Sequence, residues 1–283
     1  MRVLITGASG MLGGELRRTF EHHELTALDR AGLDVTDAAA VSEAVIGHDV
    51  VVNAAAYTAV DAAETDEDRA FAVNASGAGH VAAACAAHGA RMVQISTDYV
   101  FDGTATEAYP EDAPRNPVSA YGRTKAAGEE LALAQNPGRT YIVRTAWLYG
   151  AGGRNFATTM LRLAGERDTW AVVDDQVGQP TWTGDLAEKI LELIERDAPG
   201  GIYHATNSGR TSWFGFAREI LREASLDPER ITPTTSAAFR QAARRPSFSV
   251  LGHDGWRRAG MEPMRHWREA LHASGIAGPA GGH

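Results

Sequence analysis

The sequence predicts an α/β fold: a doubly wound parallel sheet followed by a smaller C-terminal α/β lobe. Three observations carry this expectation. Short β-branched and aliphatic runs alternate with Ala-rich helical segments up to Gly150, a glycine-rich turn joins the first run to the first helix, and the alternation becomes irregular after Gly150. The 283 residues, 44% of them hydrophobic, suffice for one large core or two modest ones. A formal net charge of -9 without a long Lys/Arg run argues against non-specific nucleic-acid binding. The single cysteine, Cys85, excludes an internal disulfide and a cysteine-cluster metal site, and its Ala-rich surroundings predict a buried helix thiol. Met1-Arg2 passes straight into a strand, with no signal-peptide pattern, and no apolar run approaches the roughly 20 residues of a spanning helix. A cytoplasmic protein with neither membrane nor nucleic acid as partner is expected.

Arg2-Val3-Leu4-Ile5-Thr6 reads as a strand buried on both faces. Gly7-Ala8-Ser9-Gly10-Met11-Leu12-Gly13 follows and opens a helix through Phe20, the context in which spaced glycines hold a dinucleotide. Gly7 would permit a tight turn, Gly10 the approach of a pyrophosphate to the helix N-terminus beside Met11 and Leu12, and Gly13 close helix-to-strand packing. The G-x-x-G-x-x-G spacing differs from the G-x-G-x-x-G of ordinary dinucleotide dehydrogenases and points to a Rossmann-type reductase subgroup with one more residue in the turn. The same glycines also suit a turn without a ligand.

A second strand, Glu24–Leu28, ends at Asp29-Arg30, about 20 residues beyond the glycines, where an adenosine ribose is expected. Asp29 suits the ribose 2′-OH of NAD and Arg30 the 2′-phosphate of NADP, so the choice between NADH and NADPH stays open. In Gly32-Leu33-Asp34-Val35-Thr36-Asp37, Asp34 and Val35 are placed beside the adenine, and Thr36 or Asp37 caps the next helix. The third strand, Asp49–Asn53, ends in Ala54-Ala55-Ala56-Tyr57, small residues that let a cofactor lie close to the backbone. Asp61 to Asp68 is acidic, as suits the start of a helix running from Ala70 to His88. Asn74 on that helix either reaches toward the strand ends or is an ordinary helix-face residue.

The fourth strand, Arg91–Ile95, runs into Ser96-Thr97-Asp98-Tyr99-Val100-Phe101, at the carboxyl end of the sheet where ligands of open α/β folds bind. Ser96 and Thr97 offer a hydroxyl, and Asp98 and Tyr99 lie where a substrate would sit. A Pro-rich crossing leads to Ser119-Ala120-Tyr121-Gly122-Arg123-Thr124-Lys125, which opens a helix. Tyr121 and Lys125, four apart, share one helical face. A nearby ammonium would favour the phenolate and lower the phenol's pKa, making Tyr121 a proton donor for a carbonyl under reduction. The fifth strand, Thr140–Thr145, leads to Ala146-Trp147-Leu148-Tyr149-Gly150.

In this order, Gly7-x-x-Gly10-x-x-Gly13, Ser96 to Phe101, Tyr121-x-x-x-Lys125 and Arg144 to Tyr149 resemble the extended short-chain dehydrogenases/reductases over nearly the whole chain. The resemblance implies an oxidoreductase using NADPH or NADH to reduce the C4 keto group of a dTDP-linked 6-deoxy sugar in carbohydrate biosynthesis. Its catalytic residues would be Thr97, Tyr121 and Lys125, with Trp147 against the sugar. It also implies a monomer or homodimer, and a Mg²⁺ at a dimer contact to which only Glu15 can be matched. Another nucleotide-sugar 4-ketoreductase, an epimerase, or a non-catalytic subunit like the regulatory subunit of methionine adenosyltransferase are the alternatives. Residues 1–150 would form the NAD(P)-binding domain, with segments from about 170–205 returning to it, and 151–283 mainly a discontinuous substrate lobe. Arg240, Arg244 and Arg245 would suit a diphosphate or a solvated loop, and Gly275 to His283 reads as a disordered tail.

Overall fold

The structure, a computed structural model, describes residues 1–239 and 241–278. Six parallel strands form the central sheet: β1 (Arg2–Thr6), β2 (Glu24–Leu28), β3 (Val50–Asn53), β4 (Arg91–Thr97), β5 (Thr140–Thr145) and β6 (Gly201–His204). Their order is β6-β5-β4-β3-β1-β2, so the chain reverses direction across the sheet between β1 and β3. The crevice at such a reversal is where open α/β sheets bind their ligands.

The main helices are α1 (Met11–Thr19), α2 (Ala38–Val45), α3 (Glu67–His88), α4 (Ala120–Gln135), α5 (Phe156–Glu166), α6 (Thr183–Glu195), α7 (Trp213–Glu223) and α8 (Trp267–Ser274). Alternate strand residues face opposite sides, and both sides are covered. Val3, Ile5, Val52, Val93 and Val143 pack with Leu16 of α1 and with Leu186, Ile190 and Leu193 of α6. Leu4, Val51, Met92 and Ile142 face Val41 and Val45 of α2, Val81 and Cys85 of α3 and Ala132 of α4. This two-sided burial explains why the strands read as continuous apolar runs.

Helix α3 begins three residues before the expected Ala70. Its 22 residues reach the length and apolarity of a spanning helix, which the apolar runs alone did not suggest, yet more than half of its most apolar stretch is buried in the fold. Burial pushes the Cys85 thiol up to about 12. At Ala72–Ser76 the helix widens into a π-turn, a local insertion that often marks a functional position.

Beyond β5 the chain leaves the sheet and returns. Trp170–Val173, expected among the returning segments, pairs instead with Ile231–Thr234, while α6 and β6 rejoin the sheet. Tyr149, Met160, Trp170, Phe216, Ile220 and Trp267 form the separate core of the lobe. Gly275 ends α8 at φ 62 and Ala277 is buried in the lobe core, so the tail is packed to that point. Arg240 and residues 279–283 lie outside the described residues.

Candidate active site

The turn after β1 is shaped for close approach. Gly7 has φ +68, and a Cβ there would sit 2.7 Å from the Ala54 carbonyl carbon and the Ala55 nitrogen. Any side chain would thus push the ends of β1 and β3 apart. A Cβ on Gly13 would lie 2.4 Å from the Gly7 oxygen, so α1 packs directly on the turn. Gly10 caps α1 without a side chain, leaving first-turn N–H groups without a side-chain acceptor at a helix N-terminus.

A cavity of about 780 Å³ extends from this turn along the carboxyl ends of the strands. Gly7, Gly10, Met11, Leu12 and Gly13 line one end, with Arg30, Asp34, Val35 and Ala54 to Tyr57 beside them. Thr97, Asp98, Tyr99, Tyr121, Lys125 and Trp147 line the other. Of the residues expected at the dinucleotide, Asp29 is the one that does not reach the cavity. Its Oδ1 instead accepts the backbone N–H groups of Ala31 and Gly32 at 3.0 and 3.1 Å, closing its own loop. Asp34 Oδ1 accepts from the Thr36 nitrogen and hydroxyl at 3.0 and 2.8 Å, which hold its carboxyl below the usual range. Asp37, not Thr36, caps α2.

Ser119 caps α4 by accepting the Gly122 N–H, and this start delivers Tyr121 and Lys125 to the cavity. The electrostatics differ from the expectation. Burial pushes the Tyr121 phenol up to about 12, with the Asp98 carboxylate adding to the rise and the Thr97 hydroxyl opposing it. Lys125 Nζ donates to the Ile95 carbonyl at 2.6 Å. Burial brings the Lys125 ammonium down to about 8 against the pull of Glu129. Asp98 is 1% exposed, and burial raises its carboxyl to about 6 against the hydroxyls of Ser249 and Thr97. Thr97 Oγ1 donates to Asp98 Oδ1 at 3.0 Å and accepts the Tyr99 N–H at 3.2 Å. The Tyr99 ring meets the Tyr121 ring edge-on at 5.5 Å.

Buried polar groups hold these residues from behind. Asn74, in the π-turn of α3, accepts the Tyr57 N–H at 2.8 Å and donates to the Tyr57 carbonyl and to Thr124 Oγ1, both at 3.1 Å. It therefore ties the loop after β3 to α4. Gly128 lets the helices approach, since a Cβ there would lie 2.1 Å from the Asn74 oxygen. Ser96, one of the two candidate hydroxyls, is taken: its Oγ donates to Glu129 Oε1 at 2.5 Å, and Arg144 grips the same carboxylate at 2.9 and 2.7 Å.

The acidic stretch does more than begin a helix. Asp61 accepts from Arg245 Nη2 at 2.7 Å and from the Ala243 N–H at 3.0 Å, contacts that lower its carboxyl to about 2. Glu64 accepts the Ala120 N–H at 2.8 Å, and Glu67 receives Arg123 at 2.9 and 2.7 Å. Arg245 is thereby removed from the diphosphate candidates. Arg244 lines a smaller, separate cavity of about 210 Å³ with Asp102 and Asp175. Glu15 Oε2 receives Arg18 at 3.0 and 2.8 Å, and no three His, Cys, Asp or Glu side chains converge among the described residues. Arg69 and Arg154 also line the large cavity and were not expected there. For Arg154 the signal in the sequence is the Gly152-Gly153 turn that follows the fifth strand at the ligand end of the sheet.

A turn that only glycine can make, set at the reversal of a parallel sheet with a half-buried phenol and a buried lysine further along the same cavity, places the chain in the class of nicotinamide-dependent short-chain reductases. More narrowly, the family model described as the RmlD substrate binding domain matches residues 1–275, and the chain belongs to that family. It is 52% identical to a dTDP-4-dehydrorhamnose reductase of Streptomyces griseus, over 99% of this chain and 95% of that one. It is 46% identical to a dTDP-4-keto-6-deoxy-D-glucose reductase of Streptomyces niveus, over 95% of each. The solved structure of a Bacillus anthracis dTDP-4-dehydrorhamnose reductase in complex with NADP superposes with a TM-score of 0.93 at 40% identity, covering 97% of this chain and 98% of the other.

Proposed function

We propose that this protein reduces the C4 keto group of dTDP-4-dehydro-6-deoxy-L-mannose, with NADPH as reductant, to give dTDP-L-rhamnose. The reading is carried by one observation: Thr97, Tyr121 and Lys125 line the cavity whose far end is the Gly7–Gly13 turn. A module that only binds its ligand has no use for all three.

The turn fits a dinucleotide, since its glycines leave the backbone open to a pyrophosphate and Ala54 to Ala56 present little bulk beside it. Arg30 lines the cavity while Asp29 does not and has its Oδ1 held by the loop, which favours the 2′-phosphate of NADPH over the bare ribose of NADH. When bound, the reduced nicotinamide supplies the hydride. Tyr121 gives its proton to the O4 that becomes a hydroxyl. The high pKa of the phenol keeps that proton in place at neutral pH. Thr97, whose hydroxyl donates to Asp98 Oδ1 here, turns that one hydrogen to the same oxygen when the sugar is bound, and Lys125, fixed on the Ile95 carbonyl, holds the nicotinamide ribose hydroxyls. Asp98, Tyr99 and Trp147 line the sugar end.

Residues 1–150 with α6 and β6 form the nucleotide-binding part, and the remainder closes over the sugar. The packing of α3 into the fold and the net negative charge suit a cytoplasmic enzyme. The test follows NADPH absorbance in the presence of the keto sugar and determines the configuration of the product at C4. The Streptomyces niveus relative favours a second reading, reduction of a different dTDP-linked 4-keto sugar with the same residues. A product epimeric at C4, or turnover only with that other sugar, would select it.

A further inference from the structure

Trp147 lies at the sugar end of the cavity in an unusual backbone state. Its φ of 48 falls in the left-handed region, where a bulky residue stands only if its surroundings hold it. Those surroundings are visible. The Trp213 indole lies flat on the Trp147 indole, with centroids 3.6 Å apart and planes 7° from parallel. Free aromatic pairs prefer offset or edge-on geometry, so this face-to-face stack is imposed by its neighbours. Trp213 is itself fixed: its N–H donates to Gln176 Oε1 at 3.1 Å, the Phe156 ring packs on it at 4.5 Å, and it begins α7 directly after the Ser212 cap. Trp147 is also stopped by the backbone of Gly178, where a Cβ would come within 2.6 Å of its Cε2.

We propose that Trp213 is a positioning residue: with Gly178 it sets the plane of the Trp147 indole and so sets how the keto sugar lies before Tyr121. The proposal rests on the ketoreductase reading above. Trp213 belongs to the lobe and Trp147 to the loop after β5, so the stack also couples the seating of the lobe to the shape of the sugar site.

The test combines kinetics with far-ultraviolet circular dichroism, in which two stacked indoles give an exciton couplet. The wild type shows the couplet, and Trp213→Ala and Trp213→Phe lose it. Trp213→Ala raises the KM for the keto sugar about tenfold while the KM for NADPH holds within about twofold, the scale of one lost aromatic contact. Trp213→Phe, which keeps a flat ring, restores most of the sugar KM. Gly178→Ala leaves Trp213 in place but displaces the Trp147 ring, and it gives the same rise in sugar KM; it decides the matter if Trp213→Ala fails to fold. A wild type without the couplet overturns the stack. An unchanged sugar KM in Trp213→Ala or, failing that, in Gly178→Ala reduces Trp213 to lobe packing while the reductase reading stands. A wild type that leaves NADPH unoxidised with the keto sugar overturns that reading and this one with it.

Discussion

The Lys125 ammonium is anchored on the Ile95 carbonyl at 2.6 Å, and the Tyr121 phenol one turn earlier is governed by burial and Asp98 instead. Tyr121→Phe should lower kcat by about 10²–10⁴-fold, the usual worth of a positioned general acid, with NADPH binding unchanged by fluorescence titration. Equal rates in the two proteins would remove the proposed acid.

Activity should decline as pH rises through about 8. Lys125 titrates there because burial disfavours its charge, whereas Tyr121, pushed up to about 12, keeps its proton throughout. A pH profile of kcat/KM in the wild type checks this, and a basic limb lying instead near the ordinary lysine value of about 10.4 would contradict it.

The choice of cofactor should depend on Arg30. Replacing it with alanine removes a cation from the adenosine end of the cavity, and a charge-assisted bond to phosphate is worth about 1.5–3 kcal/mol. The KM for NADPH should rise by about 10–100-fold, with that for NADH nearly constant. A parallel loss with both cofactors would show that Arg30 supports the fold of the loop and not the phosphate.

Asp98 should make the stability of the protein depend on pH. Its folded pKa of about 6 lies above the ordinary value of 3.8. The folded state therefore holds its proton more tightly than the unfolded chain, and stability falls as pH rises from about 4 to 6. Asp98→Asn has no proton to lose there. Its stability relative to wild type should improve by up to about 3 kcal/mol between pH 4 and pH 7, because the folded carboxyl binds its proton roughly a hundredfold more tightly and each factor of ten is worth about 1.36 kcal/mol. Denaturant unfolding of both proteins at the two pH values measures it, and parallel curves would contradict it.

Asn74→Ala should cost about 1–3 kcal/mol, since it leaves buried backbone groups of Tyr57 without partners. Gly128→Ala should destabilise comparably by forcing a methyl against the Asn74 carbonyl. Urea midpoints check both, and a value near wild type for either would mean that the α3–α4 contact relaxes freely.

The strands and the glycine turn were legible because their cause is local: runs buried on both faces read as continuous apolar stretches, and a left-handed turn needs glycine. The places of Tyr121, Lys125 and Thr97 followed, since each sits at a fixed offset from a strand end or helix cap. The charge balance did not follow. Spacing of four on a helix suggested that Lys125 lowers the phenol, but only the fold reveals that the lysine turns to the Ile95 carbonyl and that Asp98 is buried beside the tyrosine. Asp29 was misplaced for the same reason, because its use by Ala31 and Gly32 is a matter of loop conformation. The Asp61–Arg245 pair spans 184 positions of sequence, a separation over which pattern carries no information. The stacking of Trp147 on Trp213 is equally remote from any local rule.

The sheet is completed by β6, whose residues Gly201–His204 are joined to β5 only after the chain has wandered through the lobe. Synthesis must pass residue 204 before β5 gains its outer neighbour and α6 shelters the apolar face of β1 and β3. A nascent chain halted near Gly150 would have only Leu12, Leu16 and Phe20, from the first helix and its C-cap, against that face, with the area that Leu186, Ile190 and Leu193 cover still open to water, so a gene cut at the apparent domain boundary would divide one core between two fragments.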